Sequence, residues 1–184
     1  MGQVYDAIDE RTAAFIRDQR IFFVATAPLD ANGHVNLSPK GLDTFAVLDP
    51  KTVAYLDLTG SGVETIAHVR ESARITICFA AFEGPPKIVR LYGRGTVLVA
   101  GDPGFDELAA RFPTYLGARS VIRVAVRRVA DSCGYAVPEY AFVRDRQQLL
   151  QWAERKGPDA IRAYREEKNR ASIDGLPGLV APPR

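Results

Sequence analysis

Three short stretches carry residue types whose spacing suits chemistry. Thr59-Gly60-Ser61-Gly62 lies between an apolar run and a helical stretch that brings Glu64 and Thr65 into its first turn. Small residues let a ligand approach the backbone closely, and N–H groups exposed at a helix start suit a phosphate. Ser61 with Glu64 three residues on also spells a capping box, which would account for both side chains without a ligand. The stretch is not a P-loop, because no Lys-Ser or Lys-Thr pair follows it.

The second stretch is Asn36-Leu37-Ser38-Pro39-Lys40-Gly41. Asn36, Ser38 and Lys40 alternate with Leu37 and Pro39, so the polar three share one face wherever the chain is extended. Pro39 has no N–H and Lys40 is a cation, which reads as a strand leaving its sheet with a donor-rich edge for an anionic or carbonyl-bearing ligand. A solvated loop is the alternative. In the third stretch, Lys87 to Arg94, Arg90 and Tyr92 alternate beside Gly93 and Gly95, glycines that mark a bulge or a close approach. The forked donors of Arg90 match phosphate oxygens. They equally suit a surface ion pair with Glu83 or Glu71. His34 and His68 are too isolated to form a metal site. Cys78 reads as a small buried hydrophobe, and Cys133, despite Arg127 and Arg128 nearby, has no identifiable base to make it a nucleophile.

The elements that must position these stretches are mostly strands. Ile21 to Ala27, His34 to Leu37, Thr44 to Leu48, Thr52 to Leu58, Arg74 to Ala80, Lys87 to Ala100 and Ser120 to Val129 are short apolar or alternating runs. They are separated by turn signals such as Asn32-Gly33 and Asp49-Pro50-Lys51. Helical patterns cover Val4 to Arg17, Gly62 to Glu71 and Pro103 to Phe112 with Asp102 as N-cap, followed by a pair within Arg146 to Lys168 broken at Gly157-Pro158. Many strands crossed by few helices predict a closed antiparallel barrel rather than a doubly wound sheet. The Gly- and Pro-rich tail from Ile173 to Arg184 cannot be helical, yet Ile173, Leu176 and Leu179 suit an arm that docks.

Composition sets the outer bounds. The chain has 184 residues, 47% apolar and 25% charged, enough for one domain with a real core. The formal charge of +2 argues against a nucleic-acid grip, and the arginines at 119, 123, 127 and 128 read as a solvated or subunit-facing strand surface. No apolar run reaches the roughly 18 residues of a membrane span, and no signal pattern opens the chain, so the expected location is the cytoplasm.

In order and content, the IFFVATA strand, HVNLSPKG, TVAYLDLTGSG and RLYGRG resemble the pyridoxamine 5'-phosphate oxidase-like family of FMN-binding split barrels over about residues 3 to 130. SCGYAVP and KNRASIDGLPG are similar to a less characterised branch of it. The resemblance implies a mainly β, helix-flanked domain built on a six-stranded antiparallel split barrel, with a barrel core over about 1–130 and C-terminal helices and arm over about 131–184. It also implies a homodimer with FMN at the subunit interface, Asn36, Leu37, Ser38, Pro39 and Lys40 beside the flavin ring and ribityl chain, and Thr59, Gly60, Ser61, Glu64 and Thr65 at its phosphate or edge. The basic pair that the vitamin B6 enzymes place after the loop serine is here Gly62-Val63, a common glutamine is Ile88, and no vitamin-phosphate signature surrounds Trp152. Lys40 and Arg90 are the replacement charges. The implied activity is an FMN-dependent oxidoreductase acting on a small molecule; a non-catalytic carrier or sensor holding flavin or haem is the alternative, and a deazaflavin in place of FMN stays open.

Overall fold

The computed structural model describes residues 2–179. Along the chain run β1 (Val4–Tyr5), α1 (Glu10–Asp18), β2 (Phe22–Thr26), β3 (Asn36–Lys40), β4 (Phe45–Asp49), β5 (Thr52–Leu58), α2 (Glu64–Ser72), β6 (Arg74–Ala80), β7 (Ile88–Leu98), α3 (Phe105–Ala109), β8 (Ala118–Ser132) and α4 (Gln148–Lys168). Every strand pairing is antiparallel, in the order β3-β2-β6-β7-β8-β5-β4 with β1 added against β8. The class is the expected one, mainly antiparallel β with flanking helices. Among the described residues the sheet has 8 strands rather than six: seven on one path, and the two-residue β1 added against β8.

Alternation explains why one face is interior. Phe22, Val24 and Thr26 of β2, Ile75, Ile77 and Phe79 of β6, and Val89 and Leu91 of β7 are buried, while their neighbours in sequence, Ala80 excepted, are half-buried or exposed. Inside, Phe22, Phe45, Tyr55 and Phe79 meet with ring centroids 5.0–5.9 Å apart, so β2, β4, β5 and β6 close around one aromatic cluster. The opposite face of β5 and β8 carries Ala54, Leu56 and Val121, covered by Phe112 and the α3 region.

Several expected boundaries move, each for a local reason. The first helix does not start at Val4: Val4 and Tyr5 pair with Ala130 and Val129, and α1 begins after Asp9, whose Oδ1 accepts the Thr12 N–H at 2.7 Å. The second strand of the first hairpin runs through Pro39 to Lys40 instead of ending at Leu37. Proline is tolerated because β3 is an edge strand and pairs only with β2. Asp102 does not cap α3. Its carboxylate accepts the Val99 N–H, and α3 starts after Gly104 at φ 81°. The last helical pair is broken at Gly157, φ 72°, as the Gly-Pro step predicts. No helix among the described residues is long and apolar enough to cross a membrane.

Candidate functional site

The polar face of β3 turns inward. Register pairs Asn36, Ser38 and Lys40 with Thr26, Val24 and Phe22, the core-facing residues of β2, which leaves Leu37 and Pro39 on the outer face. Asn36 Nδ2 donates to Thr26 Oγ1 at 3.1 Å and to Thr65 Oγ1 at 3.0 Å, and Ser38 Oγ donates to Asn36 Oδ1 at 2.8 Å. Asn36, Ser38 and Thr65 therefore form one network joining β3 to the start of α2. His68 extends it, with Nδ1 3.0 Å from Thr26 Oγ1.

Lys40 has a partner the sequence pattern does not announce. Its Nζ lies 3.0 Å from Asp57 Oδ1, while Arg119 Nε lies 2.7 Å from Asp57 Oδ2, and the Asp57 side chain is wholly buried. Burial pushes the Asp57 carboxyl up, but Lys40 and Arg119 outweigh it and hold the group below its ordinary value. Two cations thus contact one buried carboxylate, with Arg165 a third cation nearby. Arg165 stays close because its Nε donates to Thr59 Oγ1 at 2.8 Å and its Nη2 to the Ala118 carbonyl at 2.9 Å.

The glycine loop is held by its carbonyl groups. Arg119 Nη1 donates to Gly62 O at 2.9 Å and Gly60 O at 3.4 Å; Asn169 Nδ2 donates to Gly60 O at 3.0 Å and Ser61 O at 3.4 Å. Asn169 Oδ1 in turn accepts from Arg119 Nη1 at 2.9 Å. Among the described residues, the N–H groups of Gly60, Ser61 and Gly62 find no protein acceptor, and Ser61 and Gly62 are exposed. The Ser61–Glu64 capping box does not form: α2 follows Val63 with no side-chain cap. Glu64 instead folds back over Gly62, where a Cβ would meet its Oε2 at 2.4 Å, and its Oε1 accepts the Ile173 N–H at 3.3 Å.

The C-terminal arm docks here through its described part; Val180 to Arg184 lie outside the described residues. His34 N–H donates to Asp174 Oδ2 at 2.8 Å, the His34 ring sits 2.7 Å from Asp174 Oδ1, and Arg70 donates to the Gly178 carbonyl. Gly178 passes so close to helix α4's end that a Cβ would stand 2.3 Å from Asn169 O.

Arg90 lies elsewhere. It shares the outer face of the sheet with Cys78, its register partner, and its Nη1 donates to Ser132 Oγ at 3.2 Å rather than pairing with Glu83 or Glu71. Those two acids accept from the Phe142 and Leu29 N–H groups. The structure thus joins Asn36, Ser38, Lys40 and Thr59 to Thr65, and leaves Arg90 apart from them. Arg119, read as part of an outward basic strand, is buried, while Arg123, Arg127 and Arg128 are exposed. The residues that sequence reasoning missed are Asp57, Arg119, Arg165 and the loop contact of Asn169. A lone acid inside TVAYLDL was the available signal, since a carboxylate buried in an apolar strand needs a cation. A cleft of about 1340 Å³ between α1, the β6–β7 turn and Asp131 to Phe142 includes none of these residues.

Two buried polar atoms, Tyr55 Oη and His68 Nε2, have no hydrogen-bond partner among the described residues. Burial lowers the His68 pKa against the opposing pull of Asp174, Glu64 and Glu71, so the folded protein holds it neutral where the unfolded chain would protonate. The unfolded state then binds more protons, and stability is expected to fall as pH drops below about 6.5. Urea melts of wild type and His68→Gln from pH 7.5 to 5 check this: the variant should show a shallower loss, and parallel slopes would count against it.

A curled antiparallel sheet left unpaired between β3 and β4, flanked by helices and bridged at that seam by polar side chains, defines a split barrel. Residues 8–133 match the family model described as pyridoxamine 5'-phosphate oxidase. The Aspergillus flavus pyridoxamine 5'-phosphate oxidase family protein ustO is 37% identical over 192 residues, an alignment covering 95% of this chain and 77% of that one. The chain belongs to the pyridoxamine 5'-phosphate oxidase family. Among solved structures, a candidate pyridoxamine 5'-phosphate oxidase of Lactobacillus delbrueckii superposes with TM-score 0.52 at 20% identity, covering 68% of this chain and 94% of that one. Group A Streptococcus HupZ gives 0.51 at 22%, covering 73% and 99%. At these identities the two structures show the shared fold.

Proposed function

We propose that the chain is an FMN-dependent oxidoreductase acting on a small molecule, working as a cytoplasmic homodimer with its flavin sites at the subunit interface. The observation that carries the reading is the Thr59–Gly62 loop: its carbonyls are occupied by Arg119 and Asn169, the N–H groups of Gly60, Ser61 and Gly62 find no acceptor among the described residues, and behind it Lys40 and Arg119 hold one carboxylate while Arg165 binds Thr59. That donor set fits a phosphate-bearing ligand. Glu64 opposes an anion at the same loop, and Lys40, Arg119 and Arg165 offset it. When bound, FMN would supply hydride acceptance and release at its ring.

The chain's own residues bind and orient. Gly60, Ser61 and Gly62 offer N–H donors, with Thr59 and Thr65 anchoring the two ends of the loop. Outward-facing Leu37 and Pro39, with the free edge of β3, offer an apolar and backbone surface beside which a flat ring can lie, and Asn36 and Ser38 hold that strand from behind. Lys40 lies on the opposite, inner face of β3, paired with Asp57, so its positive charge acts on the ring from behind the strand as negative charge develops on reduction. Arg90 lies on that same outer face, in the cross-strand row Pro39–Phe23–Cys78–Arg90, separated from β3 by two strands and away from the loop.

Absorption of freshly purified protein tests the reading. Bands in the blue and near ultraviolet are expected, and mass spectrometry of the released cofactor separates FMN from a deazaflavin. A Soret band would move the reading to a haem carrier, and colourless protein that takes up neither would remove both. In FMN titrations, Lys40→Ala is expected to weaken binding by about 1.5–3 kcal/mol and Ser61→Ala by about 0.5–1.5 kcal/mol, the ranges for charged and neutral hydrogen bonds. Equal affinities for wild type and Lys40→Ala would take Lys40 out of the site.

A further inference from the structure

We propose that Asn169, at the end of α4 and outside the strand and loop segments, is a positioning residue that sets the Thr59–Gly62 loop for an anionic ligand. The inference rests on the phosphate role proposed for that loop. Its geometry is specific: one fully buried amide donates to the Gly60 and Ser61 carbonyls and accepts from the guanidinium that holds Gly62 O. A peptide plane whose carbonyl is pinned on one side carries its N–H on the other. Pinning the Gly60 and Ser61 carbonyls by Asn169 therefore turns the N–H groups of Ser61 and Gly62, two of the loop's donors without an acceptor among the described residues, away from the end of α4.

Several contacts make Asn169 rigid enough for this. Its N–H closes on Arg165 O at 2.8 Å, its carbonyl accepts the Leu179 N–H at 2.8 Å, and Gly178 packs against it without room for a side chain. Arg119 is fixed independently by Asp57. The C-terminal arm thus reaches the loop through one amide that satisfies acceptors the barrel leaves open. An arm that were only a staple would need the apolar contact of Leu179 with the core, and no buried amide at the loop.

The test compares Asn169→Ala with Asp174→Ala, which removes both the His34 N–H bond and the His34 ring contact and so releases the arm there without touching the loop. Expected for Asn169→Ala is an FMN dissociation constant raised about tenfold, with riboflavin affinity changed less than about twofold, because only FMN carries the phosphate. Asp174→Ala should leave that ratio at the wild-type value. Inorganic phosphate should shift the amide resonances of Gly60 to Val63 in wild type and not in Asn169→Ala. If Asn169→Ala proves unfolded, Asn169→Leu fills a similar volume without charge and loses the donation to Gly60 and Ser61 together with the acceptor for Arg119. An unchanged FMN-to-riboflavin ratio, or phosphate shifts that persist in the variant or are missing in wild type, would overturn the proposal. A wild type that binds neither flavin, yet shows phosphate shifts that the variant loses, would sink the flavin reading and leave the positioning role standing.

Discussion

Asp57→Asn is expected to cost about 3–5 kcal/mol of stability, the usual penalty for removing one partner of a buried ion pair. The substitution preserves shape and removes the charge that Lys40 and Arg119 share, leaving the almost fully buried Arg119 guanidinium facing a neutral amide. Against a total of roughly 5–15 kcal/mol for a natural domain, that loss is a large fraction. The pH dependence has a definite sign. The folded-state pKa of Asp57 is lowered, so its contribution is complete above the ordinary carboxylate value and is lost as pH falls through the lowered one. Denaturant melts of wild type and variant should differ most near neutrality and converge in acid. A variant as stable as wild type at pH 7 would mean that Arg119 is held by the Gly60, Gly62 and Asn169 acceptors alone.

The same residue shows where sequence reading succeeds and where it stops. Strand alternation is visible in β8 because Ile122, Val124 and Val126 face a continuous core while Arg123 and Arg127 face out, and one period covers the whole stretch. Arg119 breaks that rule. The register shifts where Leu58 meets Ala118, and the local irregularity turns the arginine inward to Asp57. Extending the alternation backward from Arg123 puts it on the wrong side. Asn36, Ser38 and Lys40 do share a face, as their spacing requires, but the interior needs their hydrogen bonds, so the polar stripe points at Asp57 and Thr65. Glu64 fits a capping box in sequence, yet the arm supplies the Ile173 N–H from 109 residues away, and no local pattern encodes that partner. Local chemistry was legible in the loop and the strand. The arm's amide and the buried carboxylate join segments far apart in the chain, and only the fold brings them together.

Truncation after Glu167 gathers these contacts into one experiment. It removes the Asn169 bonds to the loop and Arg119, the His34–Asp174 clamp, the Arg70 bond to Gly178, and Leu179 from the main core. Val63, whose methyls lie 2.9–3.0 Å from where a Gly178 Cβ would stand, becomes open to water. Lost hydrogen bonds and exposed apolar surface together are expected to cost roughly 2–4 kcal/mol. Since each kcal/mol shifts the melting temperature of a chain this size by about 2–4 °C, the drop should be plain in a thermal scan. The barrel strands keep all of their pairings, because β1 to β8 end at Ser132, so the truncated chain should still fold. Flavin affinity per folded molecule should also fall, since the loop carbonyls regain freedom once Asn169 is gone. A lowered melting temperature with unchanged affinity would make the arm a staple over Val63 and α2 and nothing more. Unchanged values of both would mean that the docked arm contributes neither stability nor ligand binding.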